Sequence, residues 1–153
     1  MVKPATLARP FWVLLVIFAV IRLVAGARGV PYENPRIASV SVVVLTFVAA
    51  ALTAALARGL AGLSLKDAAK TGALIGFYTQ VVIFILTGIS ILMGVQTYFN
   101  DARAINDALI GKPITFASAM PFRAFALIIG PITGLIAGSI GWLIGGTMTM
   151  GKK

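Results

Sequence analysis

Four polar residues stand inside long apolar stretches of this sequence and are the ones whose chemistry could serve a function. They are Arg22, Gln80, Thr87 and Ser90. An amide and two hydroxyls can hydrogen-bond a solute or coordinate an ion, with Tyr78 and Thr79 close by in sequence. The same groups can instead bond to neighbouring helices, which is the usual role of polar side chains in an apolar environment. We treat these four as a possible polar intramembrane site, with both interpretations open.

Arg22 is the one charged residue well inside an apolar stretch. A charge at that depth is costly and often functional. Its long side chain could reach back to the membrane surface, or it could pair with Glu33, Asp101 or Asp107. The guanidinium could alternatively contact a substrate anion or a lipid headgroup.

The chain of 153 residues contains no histidine and no cysteine. Disulfides, thiolate catalysis, His-based triads and metal sites built on Cys or His are therefore excluded. An enzyme would have to rely on Glu33, Asp101 or Asp107 with loop Arg and Lys, because no carboxylate lies inside an apolar stretch. The lack of a carboxylate inside the apolar stretches also argues against a proton- or sodium-coupled carrier, which usually needs such a group on the path. We predict no catalytic residue, no cofactor, no metal site and no enzymatic activity.

Glycines recur at three- and four-residue spacings through the last apolar stretch, 122–146. This glycine ladder consists of Gly130, Gly134, Gly138, Gly141 and Gly145. On a helix these positions share one face. Each would cost about 1 kcal/mol in a water-exposed helix, whereas in a membrane such faces let backbones approach closely. We predict that the ladder packs against another helix, within the chain or in a second copy; lining a pore is the alternative.

The third apolar stretch carries a second small-residue seam, whose gaps alternate between four and three. This spacing is typical of the contact line in a left-handed helix pair. Its members are Gly76, Gln80, Ile83, Thr87, Ser90, Gly94 and Thr97, among which we assign Gly76 and Gly94 to helix packing. Just before this stretch, Ser64 and Asp67 have the spacing of a capping box that begins a helix.

Composition points to a membrane protein. Hydrophobic residues make up 59% of the chain and charged residues only 11%, against about 25% in a soluble domain. Each of four apolar stretches is long enough to cross a bilayer as a helix, and a strand could not do so alone. We predict an all-α integral membrane protein, a bundle of four transmembrane helices in one domain, 1–153. The spans are predicted at approximately 10–27, 37–57, 70–99 and 122–146.

A short amphipathic helix is predicted over 101–110, between the third and fourth spans. Its apolar positions fall on one side and its charges on the other, which is typical of a helix lying in the membrane interface. The apolar side has Ala102, Ile105 and Leu109, and the charges are Asp101, Arg103 and Asp107. Gly111 and Pro113 would end it.

The net charge of +9 suggests contact with anionic lipid headgroups, because the basic residues are scattered and form no patch for nucleic acid. Counting basic residues by side favours both termini in the cytoplasm, and the membrane is predicted to be a bacterial-type plasma (inner) membrane. A cleaved signal peptide ending at Ala25-Gly26-Ala27 is an alternative for the first span, although Arg22 interrupts its apolar region.

The sequence favours a structural or accessory membrane protein that packs against a partner protein or a second copy through its small-residue faces. The alternative is an oligomeric channel or carrier for a small solute or ion. A fully buried glycine ladder would favour the first. A cavity lined by Gln80, Thr87 and Ser90 that reaches a surface would favour the second.

Overall fold

A computed structural model describes residue 6 and residues 8–150. Of the basic residues used to predict the orientation, Lys3, Lys152 and Lys153 lie outside this part of the chain. The described residues form six α-helices and one 3₁₀ helix, and they contain no β-strand. The helices are α1 (Arg9–Ala27), α2 (Pro35–Ala38), α3 (Val42–Ala61), α4 (Leu65–Leu92), α5 (Ala102–Ile105), the 3₁₀ helix (Asp107–Leu109) and α6 (Phe116–Met150).

Within the described residues, four helices are long and apolar enough to cross a membrane: α1, α3 together with the preceding α2, α4, and α6 up to Thr147. The predicted all-helical architecture with four such helices is confirmed at this level. The boundaries of three of the helices differ from prediction.

The second span was expected to begin at residue 37, but α3 begins at Val42. The hydroxyl of Ser41 accepts a hydrogen bond from the Val44 N–H at 3.4 Å and caps this helix end. A separate short helix, α2, precedes it. At the other end α3 continues to Ala61 and stops at Gly62, whose φ of 62° is a left-handed conformation that glycine adopts without strain.

Helix α4 begins as predicted, because Ser64 caps it. The Ser64 hydroxyl accepts from the Asp67 N–H at 3.2 Å and donates to the Asp67 carboxylate at 2.7 Å. The predicted continuation of this span to residue 99 is wrong. The helix ends at Leu92, and Gly94 has a φ of 64°. Gly94 was expected to pack against a helix. It forms a turn instead, with open space where its Cβ would be.

The last long helix starts earlier than predicted, at Phe116 rather than residue 122, and runs past residue 146. Thr115 and Ser118 cap its start reciprocally, each hydroxyl accepting the other residue's backbone N–H, at 2.9 and 3.2 Å. Pro121 and Pro131 both lie within the helix. As a result Arg123, expected at the edge of the span as its second residue, lies seven residues after the start of the helix.

The predicted helix over 101–110 is broken into α5 and the 3₁₀ helix. Between them Asn106 has an extended backbone, with φ −168° and ψ 136°. The side chain of Asp101 accepts the Arg103 N–H, and that of Asn106 accepts the Ala108 N–H, both at 2.9 Å. Each side chain therefore caps the start of its own short helix. These local hydrogen bonds compete with the backbone bonds that one continuous helix over 101–110 would need.

The glycine ladder divides between two neighbours of α6. Gly130, Gly134 and Gly138 face α4, where an added Cβ on Gly134 would overlap the carbonyl oxygen of Gly72. On Gly138 it would lie 2.6 Å from the carbonyl oxygen of Ala68. Since these are backbone atoms, the two helices are in direct backbone contact.

The remaining ladder glycines face α3. A Cβ on Gly145 would lie 2.8 Å from the Cα of Ala55, and one on Gly141 would overlap the backbone of Ala51. All five ladder glycines are buried. Helices α3, α4 and α6 therefore form a tightly packed three-helix core, with α6 against both of the others.

Helix α1 packs less closely on this core. Its nearest backbone approach is at its C-terminal end, where a Cβ on Gly26 would lie 2.6 Å from the Cα of Thr97. Two apolar grooves flank the rest of it: one against α3 of about 220 Å³ and one against α4 of about 210 Å³. On the outer side of α1, the side chains of Val13 and Val16 are 61% and 62% exposed.

Candidate functional site

The four polar residues singled out in the sequence do not come together in one site. Gln80 is half-buried on α4, and its side chain fills the space beside Gly130 of α6, where a Cβ would overlap it. Thr87 and Ser90 lie further along α4 and are almost fully buried, at 0% and 2% exposed. Both bond to the segment that follows α4, Ser90 to Thr97 and Thr87 to Phe99.

Ser90 holds the segment that follows α4 against that helix. Its hydroxyl lies 2.7 Å from the Leu86 carbonyl and 2.9 Å from the Thr97 hydroxyl. The side-chain oxygen of Asn100 accepts the Thr97 N–H at 2.6 Å, and its amide donates to the Val95 carbonyl at 2.9 Å. Residues 93–101 therefore fold back over the end of α4 and cover it with buried polar contacts.

Thr87 connects this fold-back segment to α6. Its hydroxyl lies 2.8 Å from the carbonyl oxygen of Ile83 and 2.9 Å from that of Phe99. It also accepts a hydrogen bond at 3.0 Å from Nε of Arg123, whose Nη2 donates to the Phe99 carbonyl at 2.7 Å. Three parts of the chain thus meet at one arginine.

Arg123 is the most deeply buried charged residue among those described, at 8% exposed. Sequence reasoning missed it, because Pro121 was taken to mark the edge of the span. The pairing of Thr115 with Ser118 three residues later was the available signal that α6 begins earlier.

Among the described residues, Arg22 has no acidic partner, as is also the case for Arg123. Its guanidinium carbon lies 5.1 Å from the centroid of the Tyr98 ring and 5.7 Å from that of Tyr32, both within cation–π range. Its Nη1 donates a long bond of 3.4 Å to the Ile37 carbonyl.

Two of the three acidic residues that could have paired with Arg22 are engaged elsewhere. Arg103 forms ion pairs with Glu33 and Asp101. Its Nε and Nη2 each lie 3.1 Å from one of the two Asp101 carboxylate oxygens, a bidentate arrangement. The sequence-based option of an Arg22 pair with Glu33 or Asp101 is therefore wrong.

Arg22 and Arg123 open onto one small cleft of about 70 Å³, which we call the arginine cleft. None of the described residues that line it carries a carboxylate. The lining residues are Arg22, Tyr32, Ser41, Val42, Val43, Ile83, Tyr98, Phe99, Ala104 and Arg123. The cleft is thus polar and positively charged at one end of the apolar helices.

Chemically, the arginine cleft offers hydrogen-bond donors and positive charge, and it lacks a paired nucleophile and base. Among the described residues no group of three or more Asp or Glu side chains could hold a metal ion. Comparison with protein-family models, with curated proteins and with solved structures found no match to this chain. The geometry of the helices and of the cleft is therefore the basis for assigning a function.

Proposed function

We propose that this is a multi-pass membrane protein with a structural or accessory role, folded as a four-helix bundle in the lipid bilayer. The observation that carries the proposal is the use of the glycine ladder inside the chain. Gly134 meets Gly72 of α4, and Gly141 meets Ala51 of α3, at backbone contact distance. Contacts this close leave no room for a water-filled path between α6 and its two neighbours.

The outer surface supports a bilayer environment. Each long helix exposes large apolar side chains to its surroundings, such as Val16 on α1, Leu52 on α3, Leu74 on α4 and Leu143 on α6, which are between 54% and 62% exposed. Lipid tails would cover such a surface, whereas in water apolar patches of this extent are rare.

The contacts of Gln80, Thr87 and Ser90 favour the accessory role over a channel or carrier. Thr87 and Ser90 are buried and bonded to the chain itself, and the clefts described above are lined by other residues. Gln80 occupies space beside Gly130 in the interface between α4 and α6. A solute path along these three side chains would require the core to open.

Partners would contact other surfaces than the glycine ladder. Because α6 already presents the ladder to α3 and α4, a second copy of the chain or another membrane protein would meet the outer apolar faces. We propose a bacterial-type inner membrane with both termini in the cytoplasm. The turn at 62–64 then lies on the cytoplasmic side, and α5 with the 3₁₀ helix lies in the opposite interface.

The oligomeric mass in mild detergent tests this assignment. Gly134→Leu places a side chain against the backbone of Gly72, and Gly59→Leu is the matched control, because a Cβ at Gly59 meets no atom within 4 Å. We expect the native chain and Gly59→Leu to share one mass and one melting temperature, and Gly134→Leu to lose its fold.

Two results would overturn the proposal. A larger native species that becomes a folded monomer in Gly134→Leu would place the ladder between subunits. Ion or solute flux in vesicles that is abolished by Gln80→Ala would establish transport.

A further inference from the structure

We propose that the arginine cleft binds a phosphate group, an activity that goes beyond the structural role. The inference rests on the unused hydrogen-bond donors of Arg123 and Arg22, on the absence of a carboxylate from the described lining, and on the size of the cleft. The phosphate can belong to an anionic phospholipid or to free phosphate, and the experiment below distinguishes these sources.

Arg123 is held in place by the protein and still has donors to offer. Its Nε and Nη2 are fixed by Thr87 and by the carbonyl of Phe99. Its Nη1 makes no hydrogen bond to the part of the chain that the structure describes, and the residue lines the cleft. A guanidinium carries five N–H donors in a rigid fork, so a pre-oriented edge remains for an oxyanion.

Arg22 supplies the second positive charge. Apart from the long bond to the Ile37 carbonyl, its contacts among the described residues are the faces of Tyr32 and Tyr98. Only one of its nitrogens, Nη1, makes a hydrogen bond to the described residues, so most of its five N–H donors remain available. The Ser41 hydroxyl, which accepts the Val44 N–H, can still donate its own proton into the cleft.

The charge balance of the cleft calls for an anion. Two arginines line one cleft that has no carboxylate among its described residues. The nearby acids Glu33 and Asp101 are both ion-paired with Arg103, which cancels one of their two negative charges, so the three arginines and two acids together keep a net charge of +1. Like charges facing one another in a medium of low dielectric constant repel strongly, and a buried charge needs a partner. An oxyanion bound between Arg22 and Arg123 would offset their repulsion and give each charge a partner.

The size of the cleft limits the ligand to a compact group. Its volume of about 70 Å³ corresponds to roughly two water molecules of about 30 Å³ each. A single tetrahedral phosphate is of this size. Bidentate Arg contacts are well suited to phosphate oxygens.

An apolar groove next to the cleft fits the lipid source. The groove between α1 and α4 is lined by Ala19 and Leu23, which flank Arg22 on α1, and by Val82, which precedes the cleft residue Ile83 on α4. A phospholipid whose phosphate lies in the cleft could therefore place an acyl chain along this groove. The groove, of about 210 Å³, is almost entirely apolar.

Binding should be measured on the full chain with two probes, inorganic phosphate in a neutral detergent and phosphatidylglycerol in phosphatidylcholine nanodiscs. The variant Arg22→Gln removes one charge together with the 3.4 Å bond to Ile37 and the cation–π contacts with Tyr32 and Tyr98. Arg28→Gln is the matched control, an exposed arginine six positions further along that does not line the cleft. Arg123→Lys keeps the buried positive charge but lacks the planar guanidinium. Because the lysine side chain still occupies this position, the variant does not leave a cavity.

We expect Arg22→Gln and Arg123→Lys each to weaken binding about tenfold or more, as is typical for a charge-assisted contact, and Arg28→Gln to change it less than about twofold. Saturable binding of inorganic phosphate with this pattern identifies free phosphate as the source. Retention of phosphatidylglycerol with this pattern, and without displacement by phosphate, identifies the lipid. If neither probe binds, or if Arg22→Gln and Arg28→Gln weaken binding equally, the proposal is overturned.

Discussion

The guanidinium carbon of Arg58 lies 3.5 Å from the centroid of the Trp142 indole ring. Nη1 of the same arginine donates to the Trp142 backbone carbonyl at 2.7 Å. The indole Nε1 in turn donates to the carbonyl of Leu63 at 2.6 Å. These contacts join the end of α3, the turn that follows it and α6, at the end of the molecule opposite the arginine cleft.

Replacing Trp142 with Phe tests the contribution of this contact. The change removes the bond to Leu63 and reduces the aromatic surface under Arg58, so we expect the free energy of unfolding to fall by about 1–2 kcal/mol. Trp12→Phe is the control, because the indole of Trp12 has aromatic neighbours but no hydrogen bond to the described chain. Denaturant unfolding in detergent measures both. Equal losses would show that the Leu63 bond contributes nothing.

The backbone contact between Gly134 and Gly72 predicts that even one methyl group is too large there. Gly134→Ala should lower stability by about 1–3 kcal/mol, the usual cost of overpacking, since the overlapping atom is a backbone carbonyl that cannot move aside. Gly59→Ala should be neutral or stabilising by up to about 1 kcal/mol, because alanine is the better helix former. Thermal unfolding followed by circular dichroism compares them. A Gly134→Ala protein as stable as the native chain would contradict the close approach of Gly134 to Gly72.

The fold-back segment should depend on the Asn100 side chain. Asn100→Ala leaves the buried Thr97 N–H and Val95 carbonyl without their partner, at a cost of about 1–3 kcal/mol. Amide hydrogen exchange over residues 93–101 should therefore speed up while α4 and α6 stay protected. The control is Asn106→Ala, which removes an exposed cap bond to Ala108. Similar exchange in both variants would show that Asn100 does not hold the segment.

The proposed orientation is testable with single thiols, because the chain has no cysteine of its own. Lys66→Cys places a thiol in the first turn of α4, and Asn106→Cys places one between α5 and the 3₁₀ helix. Both positions are exposed. In sealed inverted vesicles, an impermeant maleimide should label the first and spare the second until the membrane is opened. Labelling of both from one side would refute the four-span topology.

Hydropathy and composition were sufficient to predict four long apolar helices, because the cost of an unsatisfied backbone in lipid leaves few other structures. The Ser64 cap was predictable too, since it depends only on residues within one turn. Such features are encoded locally, and a sequence pattern is enough to find them.

The end of α4 could not be predicted in the same way. Val95 and Phe99 are as apolar as a continuing span, and the turn at Gly94 differs from a packed helix glycine only in its backbone angle. The fold-back is fixed by Ser90, Thr97 and Asn100, whose bonds form only after the chain has reversed. Tertiary contacts of this kind have no periodic signature.

The arginine cleft was inaccessible to sequence reasoning for a related reason. Arg22 attracted attention by its depth in a span, but Arg123 is 101 positions away, and the two meet only because α6 begins on the side where α1 ends. One of the options for Arg22, a pair with Glu33 or Asp101, is not realised, because Arg103 binds both acids. Competition among charges is decided by geometry that the sequence does not display.

The position of the glycine ladder on α6 has a consequence for biogenesis. Translation delivers α1, α3 and α4 to the membrane before Gly130 leaves the ribosome, so Gly72 and Gly76 have no partner until α6 arrives. A chain released early would expose these small-residue faces to lipid and to other nascent helices. Insertion chaperones and membrane proteases would therefore meet an unfinished core in every truncated product, and only a chain synthesised through the ladder would escape them.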